Sequence, residues 1–284
     1  MSDNNQNPLK KYFRQPKIYI SLPSNGEFWP EGSLEMTENR ELPVFSMTAK
    51  DEIMMKTPDA LISGQATVDI IQSCIPAIKN AWAMPIIDLD AVIVALRIAS
   101  YGETMDMDIK TPVTGDEKSF VLDLRNILDS LLGQTFDSKI YFEDMTVTIR
   151  PITYKEFTET ALKTFEEQRI FRVLNDEQIP DGEKIQVFQE SFKKLTALTI
   201  ANLDRSISSI EIEGTVVTDH NHITEFVNNA DKDLFRKLTD HIDQQRQKFV
   251  TKPLTIDATP EDIEKGVPET FEVPISFDSS NFFV

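Results

Sequence analysis

The chain has 284 residues, of which 29 are Lys or Arg and 47 are Asp or Glu, giving a formal net charge of −18. With 40% hydrophobic and 27% charged residues, it has the composition of a globular protein that can bury a substantial core. The acidity argues against direct binding to nucleic acid or to an anionic membrane surface, because both attract a positively charged face.

The N-terminal residues 1–16 are polar and include Lys10, Lys11 and Arg14, so they are predicted to form a flexible basic arm. They lack the apolar stretch of a secretory signal peptide, and no later segment is apolar over the length that a bilayer span requires. The single cysteine, Cys74, excludes an internal disulfide and is typical of a reducing compartment such as a cytoplasm. Its apolar helical surroundings predict a small buried side chain.

A pair of strands is predicted at the start of the folded region. Residues Lys17–Leu22 alternate and are rich in β-branched and aromatic side chains, and Glu41–Thr48 reads as a second strand. The Asn25–Gly26 dipeptide favours a turn directly after the first strand, because both residue types tolerate positive φ. The two strands would then pair across the loop that holds Phe28 and Trp29.

Helices with a strong apolar stripe follow these strands. One is predicted over Thr67–Ala83, where Pro76 should kink or divide it, and another begins at Asp88, which is expected to cap it. The second helix carries apolar residues at i, i+3, i+4 and i+7. Alternating Met and Asp in residues 104–110 predict a half-exposed strand, and residues 119–124 are expected to return beside it in a hairpin.

The second half of the chain is predicted to be more helical. A capping box of Thr153 and Glu156 opens one helix, and Asp231 is expected to cap another. Residues 210–218 alternate and predict a strand. A long helix is predicted between the helix that begins at Thr153 and the strand over 210–218. Its one apolar stripe is interpreted as core rather than as a partner groove. The stripe consists of Ile185, Phe188, Phe192, Leu195 and Thr199.

Together these elements predict an α+β protein, in which N-terminal strands and β-hairpins are combined with helices and the second half is more helical. The predicted organisation has three parts. A flexible basic arm covers residues 1–16, a domain of β-hairpins and helices covers residues 17–150, and a mainly helical domain with a β-like C-terminal tail covers residues 151–284.

The sequence contains no glycine-rich phosphate loop, no GxSxG elbow and no HExxH helix, so no catalytic residue, metal ligand or cofactor is assigned. The three histidines are His220, His222 and His241. On a strand, His220 and His222 would share one face and could begin a metal site. The favoured interpretation is that all three are structural or surface residues.

Several residues are candidates for partner binding. Asp90 and Arg97 lie two turns apart on an apolar helix, where they would form a structural ion pair or contact a partner. Phe28 and Trp29 lie in the predicted loop between the first strands. Aromatic residues also crowd the C-terminus, where they would dock on their own domain or insert into a partner subunit; these are Phe277, Phe282 and Phe283.

Four segments of the chain resemble one family of viral proteins. They are LPSNGEFW at Leu22–Trp29, DLDAVIVALRIASYGETMDMDI at Asp88–Ile109, RPITYKEF at Arg150–Phe157 and FEVPISFDSSNFF at Phe271–Phe283. Together these segments resemble the baseplate hub and hub-assembly proteins of T-even-type contractile-tailed bacteriophages. The resemblance extends over nearly the whole chain.

The resemblance implies a non-enzymatic late protein of tail morphogenesis, either an assembly chaperone or a structural protein of the virion. It would bind baseplate hub and tape-measure subunits, in the host cytoplasm during assembly and, if retained, in the tail baseplate. Its presence in the finished particle and its oligomeric state are left open. The alternative is a metal-dependent, cell-wall lytic hydrolase of the tail hub, with His220, His222 and His241 as candidate ligands.

Overall fold

The structure is a computed structural model that describes residue 9 and residues 12–56, 64–174 and 180–275, without the side chains of 168–174 and 181–183. Its helices are α1 (Ala49–Met55), α2 (Gln65–Cys74), α3 (Leu89–Tyr101), α4 (Leu124–Leu132), α5 (Tyr154–Leu174), α6 (Asp181–Ser206), α7 (His220–Asn229), α8 (Lys232–Gln247) and α9 (Pro260–Glu264). Its strands are β1 (Pro16–Ile20), β2 (Leu42–Phe45), β3 (Thr104–Lys110), β4 (Glu117–Asp123), β5 (Lys139–Tyr141), β6 (Met145–Ile149), β7 (Ile207–Ile212), β8 (Thr215–Val217), β9 (Leu254–Asp257) and β10 (Thr270–Val273). Two 3₁₀ turns, Ala81–Ala83 and Ile86–Asp88, precede α3.

The strands form small antiparallel sheets. β1 pairs with β2, β3 with β4, and β9 with β10, whereas β5 to β8 form a four-stranded sheet in chain order. The two longest helices, α5 and α6, belong to the second half. The predicted α+β class with a more helical second half is therefore confirmed, as are the strand pair β1–β2 and the hairpin β3–β4.

The first buried cluster surrounds α3. This helix is buried on nearly every side, as expected for a helix that is hydrophobic all round. β1, β2, α2, α4 and one face of the β3–β4 hairpin contribute to the same cluster. Cys74 lies in it with no exposed surface, and burial raises the pKa of its thiol to about 11. The prediction of a buried cysteine is confirmed.

The second buried cluster lies under the four-stranded sheet. Ile140, Val147 and Ile210 project from its strands and pack against Leu203 of α6 and Leu238 of α8. The pairing of β6 with β7 brings residues 145–149 beside residues 207–212, so this cluster joins segments that are distant in sequence. The division of the chain into residues 17–150 and 151–284 stays a prediction.

Backbone hydrogen bonds connect the beginning of α5 to the segment before α3. Ile86 N donates to Ile152 O at 2.8 Å, and Tyr154 N donates to Met84 O at 2.7 Å. The rings of Trp82 and Tyr154 stack beside these bonds, with centroids 5.6 Å apart. The start of α5 is therefore fixed to the segment that precedes α3.

Of two local predictions, the division of the helix at Pro76 is confirmed and the single strand over 210–218 is not. The helix predicted over residues 67–83 is divided as expected, because α2 ends at Cys74, two residues before Pro76. The single strand predicted over residues 210–218 is wrong. Glu213 and Gly214 have φ values of 48° and 78°, and they form the turn that separates β7 from β8. Alternation on both sides of this turn imitates one continuous strand.

Asp88 has a different role from the predicted helix cap. It occupies the residue before α3, but its carboxylate makes no capping hydrogen bond to that helix. Instead it accepts hydrogen bonds from Ser24 N at 2.7 Å, Ser24 Oγ at 2.6 Å and Trp29 Nε1 at 2.8 Å. Its own backbone is already helical, so the side chain is free to turn toward the loop between β1 and β2.

The Asp88 carboxylate is completely buried. Burial raises its pKa to about 6, although the hydrogen bonds from Ser24 and Trp29 act in the opposite direction.

The predicted turn in the loop between β1 and β2 is confirmed by positive φ values at Asn25 and Gly26. Phe28 also has a φ of 67°, a strained conformation for a bulky residue that the surrounding contacts must hold in place.

We expect Asp88→Asn to change how stability depends on pH. A raised pKa means that the folded chain retains a proton which the unfolded chain releases, so Asp88 stabilises the wild type below about pH 4. This contribution is lost as pH rises through about 6, and its size is on the order of 2–3 kcal/mol. Urea unfolding of wild type and D88N between pH 4 and 7 measures it.

The matched control is Asp129→Asn, because Asp129 is exposed on α4. The free energy difference between wild type and D88N should decrease as pH rises from 4 to 6, whereas that between wild type and D129N should show no such trend. A constant difference for D88N across this range would contradict a raised pKa for Asp88.

Candidate partner-binding surface

Helices α5 and α6 form an antiparallel hairpin. Thr160 Oγ1 donates to Asn202 Oδ1 at 2.9 Å near its base, and Lys194 Nζ of α6 lies 3.0 Å from Glu167 Oε1 of α5 farther out. Ser191, which is buried against α5, adds a third polar residue to this side of α6. Since α6 has 26 residues, its axis is about 39 Å long.

The apolar stripe of α6 lies beside this polar contact; four of its residues are exposed, and Leu195 is half-buried. The exposed fractions are 58% for Ile185, 43% for Phe188 and 62% for Phe192. The rings of Phe188 and Phe192 stack with centroids 6.4 Å apart. The interpretation of the stripe as core is therefore wrong. We call the set Ile185, Phe188, Phe192, Leu195 and Thr199 the α6 seam.

The spacing of the α6 seam explains why it differs from a core face. Its members follow one another at intervals of three, four, three and four residues, which is the a/d pattern of a coiled coil. A helix that packs into a globular core usually has a wider stripe with an additional apolar position in each pair of turns. The strict spacing was visible in the sequence, and it is the signal that could have identified this surface.

A cleft of about 190 Å³ lies at the base of the hairpin. Thr199, the last residue of the α6 seam, lines it together with Asn202 and Ser206 farther along α6. Its remaining walls come from both halves of the chain and are mostly apolar; they include Ile86, Ile87, Phe136, Ile152 and Ile242. The seam therefore continues into a concave site where a partner side chain would be surrounded by apolar atoms.

The rim of the cleft carries charged groups that are partly neutralised. Arg150 donates to Glu156 through both terminal nitrogens, at 3.2 and 2.9 Å, and the predicted capping box of Thr153 and Glu156 is present. Burial works to raise the pKa of Glu156, but hydrogen bonds from Arg150 and Thr153 outweigh it and hold the pKa below its usual value. Asp243 and Arg246 complete the polar part of the lining.

Phe28 and Trp29, the predicted partner-binding residues of the first loop, make contacts inside the chain. Trp29 donates to Asp88, as described above, and packs against the first cluster. The ring of Phe28 meets Phe136 edge-on with centroids 5.4 Å apart, and Phe136 lies 6.3 Å from Phe249. These contacts join the loop to Phe136, which packs against the second cluster, and a role in partner binding stays a prediction.

Asp90 and Arg97 do not form the expected ion pair. Asp90 accepts a hydrogen bond from Thr251 N at 2.8 Å, and burial raises the pKa of its carboxyl group. Arg97 is only 5% exposed, and its guanidinium carbon lies 4.7 Å from the centre of the Tyr101 ring. Their use by a partner stays a prediction.

The remaining candidates lie elsewhere. Phe277, Phe282 and Phe283 are outside the described residues. His220 and His222 lie in the first turn of α7 and not on a strand, so they do not share a face. His220 Nε2 is 3.1 Å from Asp204 Oδ2, and His241 Nε2 is 3.0 Å from Asp137 O. Across the described residues, no group of three or more His, Cys, Asp or Glu side chains is placed to hold a metal ion.

The Phe28–Phe136 contact predicts a measurable coupling between the first loop and a residue that packs against the second cluster. In a double-mutant cycle with Phe28→Leu and Phe136→Leu, we expect a coupling free energy of about 0.5–1.5 kcal/mol, the usual range for an aromatic pair. Chemical unfolding of the wild type, the two single variants and the double variant gives this value. A cycle of Phe28→Leu with Phe165→Leu, an exposed residue of α5, should be additive; equal coupling in both cycles would contradict the contact.

A family model described as T4 bacteriophage base plate protein matches residues 15–264. This range contains three of the four resembling segments in full and both helices of the α5–α6 hairpin. Neither the curated proteins nor the solved structures contain a match. Among the described helices, none combines the length and hydrophobicity that a bilayer span requires.

Proposed function

Because this chain belongs to the T4 bacteriophage base plate protein family, we propose that it is a non-enzymatic morphogenesis protein of the baseplate hub. In this proposal it binds hub and tape-measure subunits in the host cytoplasm while the tail is assembled. The family resemblance of the four segments supports the hub role. The α6 seam supports binding through a helix–helix contact.

The α6 seam is the observation that carries the proposal. Large apolar side chains that are contiguous and exposed are typical of a binding surface, because their exposure to water is unfavourable. The a/d spacing fits a helix as the partner, since each seam residue would fill a hole between four residues of the opposing helix. Aromatic side chains such as Phe192 are common anchors of protein interfaces.

The cleft extends this contact at the base of the hairpin. A partner helix that lies along the α6 seam toward Thr199 would bring its final turn to the apolar walls of the cleft. Charged side chains of that turn would meet Asp243 and Arg246 at the rim. The seam would thus supply affinity, and the cleft would fix the position of the partner along α6.

We expect Phe192→Glu to weaken capture of a hub or tape-measure subunit by roughly tenfold or more, because it places a charge in an apolar interface. Its effect on folding should be small, since Phe192 is 62% exposed. The measurement is co-expression of the tagged chain with hub and tape-measure subunits of its phage, followed by pull-down and quantification of each subunit.

Phe165→Glu is the matched control. Phe165 is 54% exposed, but it lies two residues before Glu167 and therefore on the side of α5 that faces away from α6. It should leave capture unchanged. Equal loss in both variants would exclude the α6 seam as the specific contact, and failure of the wild type to capture either subunit would contradict the proposed partners.

The proposal leaves two fates for the protein, retention in the tail or release after assembly. Mass spectrometry of purified particles distinguishes them, since a retained subunit would be present at a fixed ratio to the other baseplate proteins. Either result is compatible with binding through the α6 seam.

A further inference from the structure

A groove of about 480 Å³ separates the β3–β4 hairpin from the β9–β10 hairpin. Six consecutive residues of β3, Met105–Lys110, line one wall, and Phe271–Pro274 line the other. Successive residues of a strand project to opposite faces, so a continuous run of lining residues means that the edge of the strand faces the groove. The groove is therefore bordered by two strand edges.

The hydrogen-bond register identifies which backbone groups of β3 point into the groove. Thr111 N donates to Asp116 O at 2.9 Å, and Leu124 N donates to Glu103 O at 2.8 Å. In an antiparallel pair, bonded and non-bonded positions alternate. Residues 103, 105, 107, 109 and 111 therefore bond to the β4 side, and the N–H and C=O groups of residues 104, 106, 108 and 110 point away from it.

The same argument applies to β10. Ala258 N donates to Glu269 O at 2.8 Å, so residues 269, 271 and 273 bond to the β9 side. The backbone groups of Thr270 and Glu272 point outward. Within the described residues, β3 and β10 each pair with one strand only. The register of β3 is continuous, and the strand contains neither a β-bulge nor a proline. Both are features that often protect an exposed edge.

The side chains around the groove have a distinct polarity. On β3, Met105 and Ile109 are buried, and Met105 belongs to the first cluster, whereas Asp106 and Asp108 are exposed. The charged lining residues are three acids, Asp106, Asp108 and Glu272, and one base, Lys110. An added strand would therefore lie beside a mainly negative border.

We propose that the free edge of β3 binds an extended, basic segment of a partner protein, which adds a strand to the β3–β4 hairpin and contacts β10 across the groove. Main-chain hydrogen bonds to residues 104, 106, 108 and 110 supply the pairing, as in other cases of strand addition. Lys or Arg side chains of the segment complement the three acids. This surface is separate from the α6 seam and does not depend on the proposed function.

Charge also argues against the chain's own C-terminal residues as the occupant. Residues 276–284 follow directly after the described part of the groove wall, but they contain one acidic residue, Asp278, and no Lys or Arg. They would bring negative charge to a negative border. A basic segment from another protein fits the groove better.

The test uses a synthetic peptide of about eight residues in which Lys alternates with Val or Thr, a length typical of a strand. Its binding to the full chain is measured by fluorescence anisotropy. Amide hydrogen exchange is measured in parallel, and the peptide should slow exchange at Asp106 and Asp108. A peptide with Glu in place of Lys should bind at least about tenfold more weakly.

Two proline variants separate edge pairing from hairpin stability. Asp106→Pro removes an N–H that points into the groove and should weaken the Lys peptide by about tenfold. Val121→Pro is the matched control, because Val121 lies directly opposite Asp106 and its N–H points to the other edge of the hairpin. It should preserve binding. Asp106→Asn, which keeps the N–H and removes the charge, should cause a smaller loss.

Several outcomes would overturn the proposal. Equal losses for D106P and V121P would indicate an effect of hairpin stability, and unchanged binding in D106P would exclude pairing with this edge. Equal binding of the Lys and Glu peptides would exclude charge recognition. Amide exchange at Asp106 and Asp108 is also compared between the free full chain and a chain that ends at Ile275. Exchange that is slow in the full chain and fast in the shorter chain would assign the groove to residues 276–284.

Discussion

The buried carboxylate of Asp88 fixes the arrangement on which the rest of the molecule depends. Its hydrogen bonds hold Ser24 and Trp29 against the start of α3 and thereby position the loop between β1 and β2. That loop places Phe28 against Phe136, beside the second cluster. A buried charge is unfavourable by itself, so the three donors are needed to keep it in the folded state. One side chain thus links the first strands, the central helix and the second cluster.

The sequence predicts local structure well where the signal is local. The β1–β2 turn, the division at Pro76 and the capping box of Thr153 and Glu156 follow from short-range chemistry, and the structure contains each of them. The capping role predicted for Asp88 is wrong because its partners, Ser24 and Trp29, are about sixty residues away in the chain. A residue type suited to capping gives no information about a distant donor that competes for it.

The candidate binding surfaces could not be predicted from the sequence for a related reason. An apolar stripe on a helix shows that the face is hydrophobic, but not whether the same chain covers it. In the described part of α6, the polar side, with Ser191 and Lys194, faces α5 and leaves Phe192 exposed. Strand edges are equally difficult to predict. The pattern of β3 predicts its faces, whereas its free edge depends on which strands of the described chain lie next to it.

The exposed α6 seam favours self-association of the chain, and the net charge opposes it. Two copies could bury their seams against each other, and only repulsion between chains of formal charge −18 opposes this encounter over longer distances. The range of that repulsion is the Debye length, about 10 Å at 0.1 M salt and about 3 Å at 1 M. Low ionic strength therefore favours separate chains, and concentrated salt removes the barrier to self-association. The acidity that argues against nucleic acid as a partner thus also opposes contact between the α6 seams of two copies.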